Sequence, residues 1–251
     1  MTAIADTLVM TGRVMKQVTR SVDTVITVLI MPVMMLLAFR YVLGGAMNYG
    51  SFSSSNYILP GILMYAVLSG VSYTGFRLSI DVKKGIFERF HSMPIAKSSI
   101  LGGHVLTSAI ANMFSVIAVT LAGLLTGFKP HADLGQWLAA FALMLLFIIA
   151  MTWISVFFGL IAKSVETASV FSYVLIGLGF ASSLFAPVDT MPAGLAAFAR
   201  VQPMTPVADS LRLLLSGQPP KGSLWLAIAW CIGIMAAFWA LSIWAYKAKE
   251  R

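Results

Sequence analysis

The titratable and nucleophilic side chains of this sequence are too scattered to form a catalytic centre. His91, His104 and His131 lie in different segments, so the close spacing of zinc motifs such as His-x-x-Glu-His is absent. A serine nucleophile needs a histidine base within reach. The candidate nucleophile, Ser69, lies deep in a hydrophobic stretch without a Gly-x-Ser-x-Gly turn. We interpret His104 as a polar residue at a membrane interface, and the sequence predicts neither a metal enzyme nor a serine protease.

Phosphate chemistry is also missing from this chain. The nearest match to a phosphate-binding loop runs over 217–223, but it lacks the order G-x-x-x-x-G-K-[ST]. Carboxylates inside the membrane, which proton-driven pumps usually need, are absent from the hydrophobic stretches. We therefore expect no cofactor and no metal on this chain. If transport is ATP-driven, ATP and Mg²⁺ bind to a partner subunit.

One charged segment, 81–103, interrupts the hydrophobic sequence and suggests a different kind of chemistry. It carries Lys83, Lys84, Glu88, Arg89 and Lys97 on what the pattern predicts to be a short amphipathic helix closed by a proline. A protein with only 9 acidic residues has few such charges to place. Their concentration in one loop indicates a docking surface for a soluble partner.

Composition places the chain among membrane proteins. Its 251 residues are 59% hydrophobic and 10% charged, with a mean hydropathy of +0.89, whereas soluble domains are about a quarter charged. The net charge of +8 comes without a lysine-rich tract carrying interleaved aromatic residues, so no nucleic-acid partner is expected. The single cysteine, Cys231, lies in an apolar run and is expected to be a core residue.

The hydrophobic stretches predict an all-α polytopic membrane protein with six transmembrane helices in a single domain, 1–251. A helix needs roughly 20 apolar residues to cross a bilayer, and lipid offers no partners for free backbone groups. The predicted spans are 24–44, 57–77, 101–127, 137–162, 167–186 and 224–246. With both termini in the cytoplasm, most of the 17 Lys and Arg residues lie on the cytoplasmic side, as the positive-inside rule requires.

The N-terminal segment, 1–22, precedes the first span without a signal-peptide cleavage pattern. Apolar residues recur at helical spacing from Leu8 to Val22, and basic residues occupy the other faces. This pattern predicts an amphipathic helix in the membrane interface. A plain positive flank for the first span is the alternative. Pro32 lies inside that span and should kink it.

The segment 187–222, between the last two spans, is too hydrophobic for a loop and too broken for a span. Asp189 or Thr190 is expected to cap a first short helix, and Thr205 followed by Pro206 should start a second one. The second helix should stop at Gly217, with Asp209 and Arg212 paired at i,i+3 and Val207, Leu211 and Leu214 facing apolar surroundings. We predict outer re-entrant helices that gate a pathway. A helix pair that only covers the spans is the alternative.

Five motifs, in order, carry a family resemblance that extends over most of the chain. They are FRYVLGG (39–45) after the proline of the first span, YILPGILM (57–64), KKGIFERFHSMPIAKSSILGG (83–103), SSLFAPVDTMP (182–192) and QPMTPVADSLRLLLSG (202–217). With these motifs the chain resembles the type-2 permease subunit of ATP-binding-cassette exporters, in particular the drug-resistance branch that includes the daunorubicin exporter permeases.

The resemblance implies partners and site residues. Members pair as dimers with a second permease copy or a paralogue, and each subunit contacts a cytoplasmic ATPase through a coupling helix, which corresponds here to 85–94 within the loop 81–100. The implied contact residues are Lys84, Gly85, Ile86, Phe87, Glu88, Arg89, Phe90, His91, Met93 and Pro94. The implied outer gate comprises Pro187, Asp189, Pro192, Thr205, Pro206, Asp209 and Arg212. Aromatic residues that could line the pathway are Phe39, Tyr65, Tyr73, Phe171, Tyr173 and Phe180, unless they only pack spans or face lipid.

The function that follows from the resemblance is export of hydrophobic or amphiphilic compounds, such as drugs or lipids, by alternating access. A separate ATPase supplies the energy, and the protein resides in a cell membrane, with lipid and the hydrophobic substrate as further partners. A permease of the same fold for polysaccharide or lipid-linked glycan is one alternative. A channel or structural protein that acts without an ATPase is the other.

Overall fold

The computed structural model describes residues 3–43, 54–86, 98–220 and 222–248, and every regular element within these ranges is helical. The helices are α1 (Ala3–Arg20), α2 (Val22–Val42), α3 (Ser54–Lys83), α4 (Ser98–Leu125), α5 (Leu134–Ile161), α6 (Val165–Phe180), α7 (Ala193–Val201), α8 (Met204–Leu215) and α9 (Ser223–Ala248). A 3-10 turn, Val188–Thr190, precedes α7. The all-helical prediction is confirmed.

Within the described ranges, five helices are long and apolar enough to cross a membrane: α2, α3, α4, α5 and α9. The fifth predicted span, 167–186, extends too far, because α6 has 16 residues and ends at Phe180. The chain turns after this point. The Ser182 hydroxyl donates to the Gly179 carbonyl, and the Gln202 side chain donates to the Ala181 carbonyl at 2.6 Å. These bonds occupy carbonyls that a continuing helix would use.

The centre of the molecule is α3, which packs against α2, α4, α5, α6 and α8. Its apolar stretch is 83% buried, whereas that of α9 is 17% buried. Glycine allows α3 and α5 to approach closely, since a Cβ atom at Gly159 would lie 2.6 Å from the carbonyl oxygen of Gly75. Because α3 contacts so many other helices, its position is fixed by packing on several sides.

The proline of α2 is accommodated by a change in helix type. Pro32 has no N–H to donate to the carbonyl of Val28, four residues earlier. A π-helical turn, Ile26–Ile30, directly precedes the helical segment that contains this proline. The Ser115 hydroxyl, from α4, donates to the Val28 carbonyl. A neighbouring helix thus supplies the donor that the proline lacks.

Helix α1 lies against α4 and presents two different apolar surfaces. Met10 and Val14 are buried in the contact with α4, and a Cβ atom at Gly103 would come within 2.6 Å of the Met10 Cβ. Ile4 and Leu8 point away from the protein and are exposed. An exposed apolar surface beside basic residues fits a helix in the membrane interface, which stays a prediction here.

The surface of α9 has the residue distribution of a lipid-facing helix. Trp225 and Trp244, near its two ends, are 73% and 66% exposed. At 1.5 Å per residue these tryptophans are about 28 Å apart along the axis, close to the thickness of a bilayer core at about 30 Å. Tryptophan is enriched at both interfaces of a membrane.

The helix starts predicted for the outer segment are wrong in detail. Neither Asp189 nor Thr190 caps α7, because the Asp189 carboxylate accepts from Arg200 at 2.8 Å and the Thr190 hydroxyl donates to the Pro187 carbonyl at 2.7 Å. The N-cap of α7 is Pro192, without a side-chain hydrogen bond.

The second outer helix, α8, begins two residues earlier than expected, with Pro203 rather than Thr205 as its N-cap. The hydroxyl of Thr205 is used elsewhere, since it accepts from the Ser183 N–H at 3.3 Å. The end of α8 is confirmed: Gly217 has φ +75°, and its N–H and that of Gln218 donate to the carbonyls of Leu214 and Leu213. The predicted apolar face is also confirmed, because Val207, Leu211 and Leu214 are buried.

Candidate translocation cleft and outer clamp

A cleft of about 300 Å³ opens between α2, α3 and α6. We call it the tyrosine cleft, after three of the residues that line it. Its lining residues are Thr27, Met31, Tyr65, Ser69, Ser72, Tyr73, Phe76, Ser169, Ser172, Tyr173 and Ile176. The helical period explains the set, because residues three and four apart in α3 and in α6 share one face. The cleft therefore combines aromatic rings with hydroxyl groups.

Reciprocal serine contacts hold the two main walls of the cleft together. The Ser172 hydroxyl donates to the Ser72 carbonyl at 3.2 Å, and the Ser72 hydroxyl donates to the Ser172 carbonyl at 3.4 Å. The hydroxyl of Ser69 is buried and has no hydrogen-bond partner among the described residues. The cleft can thus offer a polar group to a ligand inside an otherwise apolar wall.

The six predicted pathway residues fall into three places. Tyr65, Tyr73 and Tyr173 line the tyrosine cleft. Phe39 and Phe180 belong to an aromatic cluster around Phe185, with ring centroids 5.0 and 4.8 Å from it, and this cluster reaches Tyr65 at 6.2 to 6.4 Å. Phe171 instead stacks on Phe158 of α5 at 4.0 Å and does not line the cleft.

Hydrogen bonds connect one end of the cleft to the N-terminal helices. The Tyr73 hydroxyl lies 3.1 Å from that of Ser21, which precedes α2. The Arg77 guanidinium lies over the Tyr73 ring at 5.3 Å and donates to the Gln17 carbonyl of α1 at 3.1 Å. The position of α1 is therefore coupled to a tyrosine of the cleft wall.

Arg212 of α8 forms the second site, which we call the outer clamp and define by Tyr57, Ser183, Leu184, Asp209 and Arg212. The predicted pair of Arg212 with Asp209 is confirmed at 2.8 Å. The Arg212 guanidinium also donates to the carbonyls of Leu184 at 2.9 Å and Tyr57 at 3.3 Å, to the Ser183 hydroxyl at 3.2 Å and to the Ser183 carbonyl. It lies over the Tyr57 ring at 3.8 Å.

The clamp holds a buried charge by surrounding it with acceptors. Arg212 is 3% exposed, and burial lowers the pKa of its guanidinium, while Tyr57 and Asp209 act in the opposite direction. The Tyr57 hydroxyl donates to the Ser183 carbonyl at 3.1 Å. The outer helix α8, the start of α3 and the turn after α6 are thereby joined into one unit.

The other predicted gate residues lie around this unit. Thr205, Asp209 and Arg212 converge on the turn after α6, whereas Asp189 pairs with Arg200 on an exposed surface. Pro187 and Pro192 precede the 3-10 turn and α7, and Pro206 lies in the first turn of α8. The prolines therefore mark the starts of the outer elements.

Only the beginning of the predicted ATPase contact lies in the described residues. Lys84 and Gly85 form the turn that ends α3, with Gly85 at φ +66°, and helical structure resumes at Ile86. The prediction placed Gly85 at the start of the helix over 85–94, but in the structure Gly85 belongs to the turn that precedes Ile86. The remaining contact residues fall outside the described residues; they are Phe87, Glu88, Arg89, Phe90, His91, Met93 and Pro94.

A charged junction between α1, α3 and α4 was missed by sequence reasoning. His104 is 3% exposed and is packed among the helices, while its predicted depth near a membrane interface stays a prediction. The Asp81 carboxylate lies 3.6 Å from the His104 imidazole and 3.8 Å from the Arg13 guanidinium. The three residues are far apart in sequence, and only the packing of α1, α3 and α4 against one another brings them together.

Comparison with known proteins gives consistent matches over most of the chain. The model of the family described as "ABC-2 type transporter" matches residues 5–216. A daunorubicin resistance ABC transporter permease from Streptomyces coeruleorubidus is 29% identical over 99% of this chain and 88% of its own length. A probable doxorubicin resistance permease from Mycobacterium tuberculosis is 23% identical over 92% of this chain and 84% of its own length. A putative transport permease from Cyanophora paradoxa is 26% identical over 85% of this chain and 75% of its own length.

Proposed function

The chain belongs to the ABC-2 type transporter family, and from this premise we propose that it is the permease half of an exporter of hydrophobic or amphiphilic compounds. Proteins of this family are multi-pass membrane permeases without ATPase activity. ATP and Mg²⁺ therefore bind to a separate cytoplasmic ATPase, and movement of that subunit reaches the spans through the coupling segment 81–100. The names of the two bacterial drug-resistance relatives support this substrate class.

The tyrosine cleft is the observation that carries the proposal. Its mixed lining suits an amphiphile, since aromatic rings of Tyr65, Tyr73 and Tyr173 offer apolar surface while serine hydroxyls offer hydrogen bonds. Tyr173 is 74% exposed, so one wall of the cleft ends at the surface of α6. A second permease copy facing this surface encloses the pathway, and substrate crosses between the two copies.

Six spans with both termini in the cytoplasm complete the proposal. The side chains of Arg40 and Asn56 donate hydrogen bonds to the carbonyls of Thr126 and Lys129, which joins neighbouring helices at the end that we assign to the outside. The 16 residues of α6 extend about 24 Å, which falls short of a bilayer core of about 30 Å. The turn after α6 is held by the outer clamp, so protein rather than lipid surrounds the backbone where the fifth span stops short.

The test is ATP hydrolysis by the permease purified with its ATPase in lipid nanodiscs. We expect at least one drug-like amphiphile or lipid to stimulate hydrolysis. Tyr173→Ala should raise the half-stimulating concentration roughly 5- to 30-fold, the effect of about 1 to 2 kcal/mol. Leu226→Ala is the control, because Leu226 is exposed on α9, away from both the cleft and the proposed contact with a second copy; it should change the value less than about twofold.

Two results would contradict the proposal. Absence of stimulation by every drug and lipid, with an intact complex, would exclude an exporter of hydrophobic compounds. Stimulation by lipid-linked saccharides alone would identify a glycan permease of the same fold. Equal effects of Tyr173→Ala and Leu226→Ala would remove the tyrosine cleft from the pathway while leaving the exporter function in place.

A further inference from the structure

A second groove, with a volume of about 340 Å³, lies between α1, α2 and α4, apart from the tyrosine cleft. We call it the N-terminal groove; Val18 of α1, Leu29 of α2 and Phe114 of α4 mark its three walls. Ligand sites in proteins have volumes of roughly 300 to 1,000 Å³. Phe114 is 69% exposed and Ile110, on the same wall, is 48% exposed. The groove therefore opens on the outside of the helix bundle.

The walls of the N-terminal groove are mainly apolar and offer few free hydrogen-bonding groups. Two of the three hydroxyl groups that line it are engaged within the protein. The Ser115 hydroxyl donates to the Val28 carbonyl, and the Thr19 hydroxyl donates to the Met15 carbonyl at 3.1 Å. The third, on Thr24, belongs to a buried residue. A polar ligand would lose its hydrogen bonds to water here without replacement, so the groove suits an apolar chain.

Two basic side chains adjoin the groove near the end of α1. Met15 and Thr19 line the groove. Lys16 and Arg20 each follow one of them by one residue, so they form the neighbouring row along the helix. Both are exposed, and neither forms an ion pair with a described residue, the nearby Asp23 included. The groove thus combines an apolar interior with positive charge along one side.

The groove also continues the apolar surface that α1 turns away from the protein. Ile4, Leu8 and Met15 fall on one side of the helix, and the first two are exposed. In a helix that lies in the membrane interface, this side faces acyl chains, while long basic side chains reach the level of the headgroups. A molecule that enters from the membrane would therefore place its chain in the groove and its polar end beside Lys16 and Arg20.

We propose that the N-terminal groove binds an anionic phospholipid, with an acyl chain between α1, α2 and α4 and the headgroup beside Lys16 and Arg20. Lysine and arginine near a membrane surface attract anionic lipids, and arginine can donate two parallel hydrogen bonds to a phosphate. A zwitterionic lipid lacks the net charge that complements this pair, and a soluble anion lacks the chain. The assignment requires α1 to lie in the interface, but it requires no particular export substrate.

A lipid in this groove would be connected to the tyrosine cleft through α1. Gln17 lies between Lys16 and Val18, and its carbonyl accepts from the Arg77 guanidinium at 3.1 Å. The same guanidinium lies over the Tyr73 ring at 5.3 Å. The bound lipid is therefore two contacts away from a tyrosine of the cleft wall, and it would help to hold α1 in the position that these contacts require.

Native mass spectrometry of the full-length protein released from detergent tests the proposal without any transport assay. The probes are phosphatidylglycerol and phosphatidylcholine with identical acyl chains. We expect tight binding of phosphatidylglycerol to each copy, and binding of phosphatidylcholine that is weaker by roughly 5- to 30-fold. Equal affinities for the two lipids would overturn the proposal, because lipid would then only cover the apolar surface.

A pair of charge variants tests the position of the headgroup. Lys16→Gln combined with Arg20→Gln should weaken the binding of phosphatidylglycerol to the level of phosphatidylcholine. Lys163→Gln combined with Lys247→Gln is the control, since it removes the same charge from two exposed residues that do not line the groove; binding should be retained. Equal losses in both double variants would show attraction by overall charge and contradict the site.

A second pair of variants tests the position of the acyl chain. Ile110→Trp narrows the groove from its exposed margin, so the binding of phosphatidylglycerol should fall. Ile117→Trp is the control, because Ile117 is 42% exposed two turns further along the same side of α4 and does not line the groove. Unchanged binding in Ile110→Trp, or equal losses in both variants, would overturn the proposal. Binding to the monomer that is lost in the dimer would also overturn it, because a second copy would then occupy the groove.

Discussion

Arg212 shows how one side chain can fix the geometry of the outer segment. Its guanidinium is 3% exposed and donates to four residues besides the stacking contact with Tyr57. Lysine could not reproduce this set, because an ammonium group lacks the planar arrangement of five N–H donors. Removal of the guanidinium would leave several buried carbonyl groups without partners.

We therefore expect Arg212→Gln to lower the free energy of unfolding by roughly 2 to 4 kcal/mol. Thermal unfolding in detergent or nanodiscs measures the change. Arg200→Gln is the matched control, because Arg200 is in the same segment and pairs with Asp189, yet its side chain is 64% exposed; the expected change is about 0 to 1 kcal/mol. Similar losses in both variants would show that the outer clamp does not stabilise the fold.

The contact between Ser115 and Val28 makes a second prediction about a single hydrogen bond. Ser115→Ala removes the donor that replaces the missing N–H of Pro32, at an expected cost of about 1 to 3 kcal/mol. In a Pro32→Ala background the same substitution should cost much less, because residue 32 then carries its own N–H. A double-mutant cycle of thermal unfolding measures the difference. Equal costs in both backgrounds would contradict the role of Ser115.

At the scale of elements, α3 and α4 flank the segment that we propose to contact the ATPase. Both helices are anchored near this segment by the contacts of Asp81 with Arg13 and His104. A displacement of this segment would therefore be transmitted to the tyrosine cleft through α3, because α3 carries both Asp81 and Tyr73. This physical connection between the two sites supports coupling of ATP hydrolysis to movement of the cleft wall.

We predict that Phe90→Ala or Glu88→Ala uncouples the two activities. Phe90 belongs to an apolar ridge with Phe87 and Met93 at helical spacing, which is typical of a helix that docks in a protein groove, and Glu88 adds a charge. Transport should fall at least about tenfold, the effect of roughly 1.4 kcal/mol or more, while the variants stay in the membrane. Lys129→Ala, in the opposite loop, is the control. Unchanged transport and unchanged copurification of the ATPase in both variants would contradict the prediction.

Local features of the outer elements could be predicted from the sequence, whereas contacts over long separations could not. The stop at Gly217 and the Asp209–Arg212 pair depend on neighbours within one or two turns, and both are confirmed. The bond from Arg212 to Tyr57 joins residues 155 positions apart, and no pattern along the chain indicates it. The early end of α6 also depends on a contact between different elements, because the Gln202 side chain, after α7, donates to the Ala181 carbonyl.

The sequence and the structure agree most closely on the long apolar helices and least on the polar interior. The last span, predicted over 224–246, is observed at Ser223–Ala248, because length and apolarity alone define it. The tyrosine cleft was only partly predicted. Its tyrosines could be proposed as candidates, but the serines that share its wall have no separate signal in the sequence. Their role depends on which face of α3 meets α6.

At the scale of the whole molecule, the distribution of burial favours one surface for the second copy that we propose. α9 is an apolar helix whose exposed surface ends in tryptophans, as expected next to lipid. α6 also exposes apolar residues, among them Val170, Tyr173 and Val174, but this surface adjoins a cleft with polar groups. A second permease copy would shield the polar groups of the cleft from lipid.

The arrangement predicts contact between α6 helices of two copies, which cross-linking can test. The only cysteine, Cys231, is buried and can be replaced by alanine to give a background without thiols. Val174→Cys in that background should yield a cross-linked dimer with a short bifunctional thiol reagent in membranes. Trp225→Cys, exposed on α9, is the control and should stay monomeric. Cross-linking through α9 but not α6 would reverse the proposed orientation, because the tyrosine cleft would then face lipid instead of a second copy.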